Sequence, residues 1–209
     1  MNDSDNENWR LGEEEEFNSL KEKYKVFNVV DQSKVPPGAK ILGCRFVYRR
    51  KKDQYGKVKS HKVRLVAQGF ARRPGLDFRE TFAPVAKFTS IQVLLALAAR
   101  HNLKLQQADA DKAYLYGKLE EELYMRVPDG IDRGDYAGKV LKLERSLYGL
   151  KQAGRVWNHR IHDSLQVFGY KRMISDACVY VRNEGGTYHN IALYVDDLLF
   201  ASPHQHEIE

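Results

Sequence analysis

Two groups of carboxylates in this sequence are of a type and spacing that could do metal-dependent chemistry. Asp196 and Asp197 are adjacent, between the apolar runs 191–195 and 198–200. Neighbouring like charges in apolar surroundings are unfavourable unless a cation neutralises them. Asp109 ends a partly apolar stretch, 103–108, just before a short helical segment carrying Lys112 and Tyr114. If that stretch is a strand beside the hairpin 188–201, Asp109 meets Asp196 and Asp197 across a sheet. Three carboxylates so arranged hold hard divalent cations through oxygen, which suits Mg²⁺. Two such ions about 3.5–4 Å apart can activate an attacking hydroxyl and stabilise a leaving phosphate oxygen. A competing reading is purely local, since Asp-Asp is also good turn chemistry.

A second chemical signal is positive charge. Residues 45–73 hold eleven Lys and Arg against a single acid, Asp53. Such an excess concentrates positive potential and favours a polyanionic partner, nucleic acid or nucleotide phosphate, over a merely solvated face. Residues 1–17 are the reverse, with seven acids and one base, Arg10. His159 and His162 have the i, i+3 spacing of a helical metal pair, yet no further ligand motif accompanies them, and they are expected to face solvent. His204 and His206 fall in a short terminal tail, and Cys178 reads as a small buried apolar residue.

The elements that must position these groups follow from periodicity. A helix is expected over 9–25, after a disordered acidic tail over 1–8. Residues 41–51 and 58–68 read as two strands of a hairpin about the turn 53–56. Strand side chains alternate, so Lys62 and Arg64 share one face while Val63 and Leu65 point into a core. Pro74, Gly75 and Pro84 bound an irregular stretch. A helix over 90–101 starts from Ser90 as N-cap, and a short helix spans 111–117. Strands are expected over 122–127, 139–143, 178–182, 188–194 and 198–201. A helix over 151–168 lines up Trp157, Ile161, Leu165 and Phe168. The fold class is α+β with a mainly antiparallel sheet.

Composition sets the outer bounds. The chain has 209 residues, 43% hydrophobic and 30% charged, with a net charge of +6, which is ordinary for a globular protein. Its longest uninterrupted apolar run, 93–99, is far short of a membrane span. The acidic start does not resemble a signal peptide. Two cysteines, Cys44 and Cys178, support neither a disulfide framework nor a cysteine zinc site.

Five ordered blocks carry a family resemblance. Tyr194-Val195-Asp196-Asp197 resembles the Tyr-x-Asp-Asp box of reverse transcriptases. The five blocks 62–70, 80–86, 107–117, 119–125 and 146–157 resemble the copia-type long-terminal-repeat retrotransposon polymerase, and the likeness covers roughly residues 9–203. It implies a right-hand polymerase, with a basic fingers hairpin at about 41–70 and a palm at about 88–203, followed by a tail over 204–209. It implies Asp109, Asp196 and Asp197 as the catalytic, metal-binding aspartates, with the Ala110 carbonyl as a further ligand to two Mg²⁺ ions, for which Mn²⁺ can substitute. Asp111 lies beside the matched aspartate and reads as a helix N-terminal acid. Tyr114 matches the aromatic position that blocks a ribose 2′-hydroxyl, the alternative being a half-buried core aromatic.

The resemblance further implies that backbone amides near Lys112 and Ala113 meet the triphosphate, with Lys62 and Arg64 as fingers cations or, equally, as template contacts. Tyr148 through Gln152 resembles a segment touching nucleotide and template; Gly154 stands where the family usually has proline. The implied activity is RNA-directed DNA polymerisation, with an RNA template, a DNA primer and deoxynucleoside triphosphates as partners and no membrane. The implied setting is cytoplasmic, in a virus-like particle of the intact element. The sequence stops at Glu209, where relatives continue into a thumb, a ribonuclease H domain and other Pol segments such as the integrase. The expectation is truncation before the thumb, which leaves open a catalytically inactive, nucleic-acid-binding remnant.

Overall fold

The computed structural model describes residues 3–69, 80–131 and 134–207, with side chains from residue 5 onward. The expected irregular stretch at Pro74 and Gly75 lies outside the described residues. In chain order the elements are α1 (Asp3–Asn18), β1 (Phe27–Asp31), β2 (Ile41–Leu42), β3 (Cys44–Lys52), β4 (Val58–Ala67), α2 (Phe88–His101), β5 (Lys104–Asp109), β6 (Lys118–Arg126), β7 (Lys139–Arg145), α3 (Ala153–Val167), β8 (Lys171–Arg172), β9 (Val179–Glu184), β10 (Thr187–Tyr194) and β11 (Asp197–Ser202). They fall into two compact units, Met1–Thr81 with Tyr114–Val156 and Phe82–Ala113 with Trp157–Glu209. The α+β expectation holds, and among the described residues every strand pair is antiparallel except β2 with β6. No described helix is long and apolar enough to cross a membrane.

The first unit contains a four-stranded sheet in the order β1-β7-β6-β2 and the two-stranded hairpin β3-β4. The single strand expected over 41–51 is two strands, because β2 joins β6 while β3 turns away to pair with β4. Alternation along β4 is as expected: Val63 and Leu65 are buried in the core with Phe17, Leu20 and Phe46, and Lys62 and Arg64 lie on the other face.

The disordered tail expected over 1–8 is corrected from Asp3 onward, because α1 begins there and docks on β4. Opposite charge and aromatic packing hold it. The Asp5 carboxylate accepts from Arg50 at 2.5 Å and meets His61 Nε2 at 3.1 Å. Trp9 sets its ring edge-on to Tyr48 and His61. The Tyr48 hydroxyl donates to Glu13, and burial together with that carboxylate pushes its pKa up to about 12. The acidic N-terminus thus covers part of the basic hairpin.

The second unit is a five-stranded sheet in the order β5-β11-β10-β9-β8. Period-two alternation along β10 sends Ile191 and Leu193 to one face and Ala192 and Tyr194 to the other. Ile161 and Leu165 of α3 pack with Tyr180, Ile191, Leu193 and Leu198. Ile91 and Leu94 of α2 pack with Ala192, Leu199 and Ala201. Each helix therefore covers one face of this sheet.

Several boundaries differ from expectation for identifiable reasons. Ser90 is not the N-cap of α2; the helix starts two residues earlier, and the buried Asp176 carboxylate accepts the Lys87 N–H at 2.8 Å from a distant segment. Phe168 does not join Trp157, Ile161 and Leu165, since α3 ends at Val167 and the ring is left exposed. The helix expected over 111–117 is a single 3₁₀ turn, Ala113–Tyr116. His162 is half-buried, and the tail at 204–207 is ordered by a turn whose Glu207 pairs with Arg182.

Candidate active site

Strand β5 lies at the edge of the five-stranded sheet against β11, in a register that sets Asp109 directly opposite Asp197. One pair further in, Tyr194 closes the hairpin against Asp197, so Val195 and Asp196 form a two-residue turn. Directly paired residues share a face. Asp109, Asp197 and Tyr194 thus stand together on the face that α2 covers further along. A recess on this face is lined by Ile91, Gln107, Ala192, Tyr194, Asp197 and Leu199, among others.

The turn is held unusually. Val195 has φ of +58°, a left-handed setting that a β-branched residue rarely adopts and that costs about 1–3 kcal/mol. Two hydrogen bonds from outside the hairpin fix its backbone. The Ala110 N–H donates to the Asp196 carbonyl at 2.8 Å, and the Trp157 indole N–H donates to the Val195 carbonyl at 2.7 Å. Gln107 Nε2 donates to Asp197 Oδ1 at 3.2 Å.

The donor chemistry of this corner fits a hard divalent ion: three carboxylates and the Ala110 carbonyl, all oxygen, from β11, from the turn that joins it to β10, and from the end of the neighbouring β5. Asp109 and Asp196 are exposed and Asp197 is half-buried. Among the described residues no group of three His, Cys, Asp or Glu side chains converges as a metal cage. The backbone brings the aspartates to one corner, while the carboxylate groups as placed do not close on a common point. Ala110 also accepts from the Ala113 N–H at 3.1 Å, and Lys112 lies between them at φ of +53°.

The remaining predicted residues lie in the first unit, where Arg64, Tyr148 and Tyr114 cluster. The Arg64 guanidinium sits over the Tyr148 ring, 5.3 Å from its centroid, and Tyr148 meets Tyr114 edge-on at 5.4 Å. Tyr148 is tied to the hairpin because its carbonyl accepts the Ala67 N–H at 2.8 Å. Gly149 makes that approach possible: it has φ of +87°, and a Cβ there would lie 2.1 Å from the Ala67 carbonyl oxygen. Gln152 is buried and donates to Glu121 at 3.1 Å. Lys62 lies beside Arg64 on the same side of β4. Sequence reasoning missed Trp157 as a polar participant, having only its place in an apolar row; the one sign for Val195 was its position between the strands expected over 188–194 and 198–201.

The family described as reverse transcriptase (RNA-dependent DNA polymerase) matches residues 24–209. The chain is 40% identical over 187 residues to the Retrovirus-related Pol polyprotein from transposon TNT 1-94 of Nicotiana tabacum, covering 89% of this chain and 14% of that polyprotein. It is likewise 40% identical over 167 residues to the Pol polyprotein from transposon RE2 of Arabidopsis thaliana, covering 78% and 11%. A more distant relative is the Transposon Ty1-NL1 Gag-Pol polyprotein of Saccharomyces cerevisiae, at 31% over 173 residues, covering 82% and 9%. The chain thus spans about a seventh or less of these polyproteins, and with a match over most of its length it belongs to the reverse transcriptase family, in the form carried by retrotransposon Pol polyproteins.

Proposed function

We propose that this chain carries the nucleotidyl-transfer centre of an RNA-directed DNA polymerase, extending a DNA primer on an RNA template. In this reading the β3-β4 hairpin is a fingers element and residues 88–203 are the palm. The observation that carries it is the register of β5 against β11, which sets Asp109 opposite Asp197 with Asp196 in the adjoining turn.

Asp109, Asp196, Asp197 and the Ala110 carbonyl are the residues that would hold Mg²⁺. When bound, a pair of such ions supplies a Lewis acid for the primer hydroxyl and neutralises charge on the transferred phosphoryl group. The bond formed joins the primer 3′-oxygen to the α-phosphorus; the bond broken releases pyrophosphate. The chain's own residues position and neutralise. Arg64 offers a planar fork to triphosphate oxygens and Lys62 a point charge. Tyr148 meets the nucleotide and template, the buried Gln152 supports that segment through its bond to Glu121, and the Lys112 and Ala113 backbone borders the phosphates. The Tyr114 ring excludes a ribose 2′-hydroxyl and so favours deoxynucleotides. Template and primer are held mainly through phosphates, and binding is correspondingly salt-sensitive.

Primer extension on an RNA template with Mg²⁺ tests the reading. Extension that disappears in Asp196→Asn supports it. Salt-sensitive nucleic-acid binding without extension, in this chain and in longer versions that include the following Pol segments, supports a binding remnant instead.

A further inference from the structure

We propose that Trp157 is a positioning residue for Asp196, its indole N–H fixing the turn that presents this carboxylate. The inference rests on the metal-binding reading given above.

Val195 and Asp196 lie outside the β10-β11 ladder, whose last pair is Tyr194 with Asp197. Val195 sits at φ of +58°, where a β-branched residue has no local preference to stay. Contacts from elsewhere must therefore hold the turn in place. One is the Ala110 N–H on the Asp196 carbonyl; the other is the Trp157 indole on the Val195 carbonyl, at 2.7 Å. The Val195 carbonyl belongs to the peptide that leads directly into Asp196. Its orientation sets the direction in which the Asp196 side chain leaves the backbone. Without the indole donor, this peptide can rotate out of its strained setting and carry Asp196 with it.

The anchoring of the donor is firm. Trp157 is 6% exposed, and one and two turns further along α3, Ile161 and Leu165 pack under the same hairpin. A phenylalanine or leucine could fill apolar space here. Only the indole supplies an N–H at this reach. Partners that orient a metal ligand in this way are typically worth 10–100-fold in metal affinity.

The test separates the N–H from the packing. Benzothienylalanine, which has the shape of tryptophan with sulfur in place of the N–H, is introduced at position 157 of the full chain, and Trp9 is left unchanged. Mn²⁺ alone is titrated, with the free ion followed by electron paramagnetic resonance, in the unmodified chain, in the isostere and in Asp196→Asn. Thermal unfolding and hydrogen exchange of the Ala110 amide are followed in parallel. The expected result is that Mn²⁺ affinity in the isostere falls by about 10- to 100-fold, with faster Ala110 exchange and a preserved unfolding transition. Affinity that falls in Asp196→Asn but holds in the isostere overturns the role of Trp157 and leaves the metal site standing. Affinity indifferent to both changes overturns the metal site, and this role with it. A cooperative transition lost in the isostere assigns the N–H to folding alone and also overturns the proposal.

Discussion

Asp109 and Asp197 are direct partners on neighbouring antiparallel strands, two carboxylates at positions where cross-strand neighbours usually attract. Like charges directly opposite destabilise a sheet, so this pairing works against the fold. In the proposed reaction the same pairing is required. Asp109→Asn is therefore expected to leave the urea midpoint in metal-free buffer unchanged or slightly raised. It should cut primer extension by at least roughly a thousandfold, since metal-assisted charge stabilisation is worth several kcal/mol. Equilibrium unfolding beside single-turnover extension checks both halves; a midpoint that drops would mark Asp109 as a structural residue.

The Arg64 guanidinium lies over Tyr148, and Tyr148 leans on Tyr114. Stacking on an aromatic face leaves the guanidinium edge free for in-plane hydrogen bonds to phosphate oxygens. Arg64→Ala is expected to raise the KM for deoxynucleoside triphosphate by roughly tenfold or more, as loss of a charge-assisted hydrogen bond costs about 1.5–3 kcal/mol. Arg64→Lys should recover only part of this, because an ammonium keeps the charge and loses the planar fork. Steady-state kinetics with varied nucleotide would show the split. A KM unchanged in both variants would reassign Arg64 to the template.

Local patterns in the sequence were good guides to local structure. The alternation that buries Val63 and Leu65 while leaving Lys62 and Arg64 on the other face was visible in four consecutive residues, and so was the apolar row of Trp157, Ile161 and Leu165. What could not be read were pairings between distant segments. The register that sets Asp109 against Asp197 joins residues far apart in the chain, and nothing near either residue specifies it. Asp5 on Arg50 and His61 is of the same kind. Two oppositely charged stretches were evident, but not that one would fold onto the other. The strand Phe27–Asp31 went unrecognised because its burial comes from pairing with β7 and its own alternation is weak.

The Tyr148 carbonyl reaches β4 only because Gly149 lacks a side chain. A Cβ at this position would lie 2.1 Å from the Ala67 carbonyl oxygen and 2.6 Å from Val66 Cγ1, and the backbone has φ of +87°. Both the steric and the conformational penalty apply to any other residue. Gly149→Ala is expected to destabilise the first unit by about 2–4 kcal/mol. It should also move Tyr148 away from Arg64 and Tyr114. Urea denaturation measures the first effect, and nucleotide KM in whatever fraction stays folded measures the second. A loss below about 0.5 kcal/mol, the size of an ordinary surface substitution, would show that the loop can shift without cost.

Asp176 links acid stability to the start of α2. Its carboxylate is 5% exposed and accepts the Lys87 N–H at 2.8 Å and the Cys178 N–H at 2.9 Å. Burial pushes its pKa up, but these donors, with Ser90, outweigh that push and hold it below the ordinary 3.8. A carboxyl depressed in the folded state adds stability above its unfolded pKa, and that contribution is lost as pH falls through the folded value. Asp176→Ala is thus expected to cost about 2–3 kcal/mol at neutral pH, because the Lys87 and Cys178 N–H groups, the second of them buried, lose their acceptor. The difference from the unmodified chain should stay constant down to about pH 4 and then shrink on further acidification. Urea midpoints of both chains across this range check it. A gap that stays constant into strong acid would mean that the carboxyl serves these amides equally well when protonated.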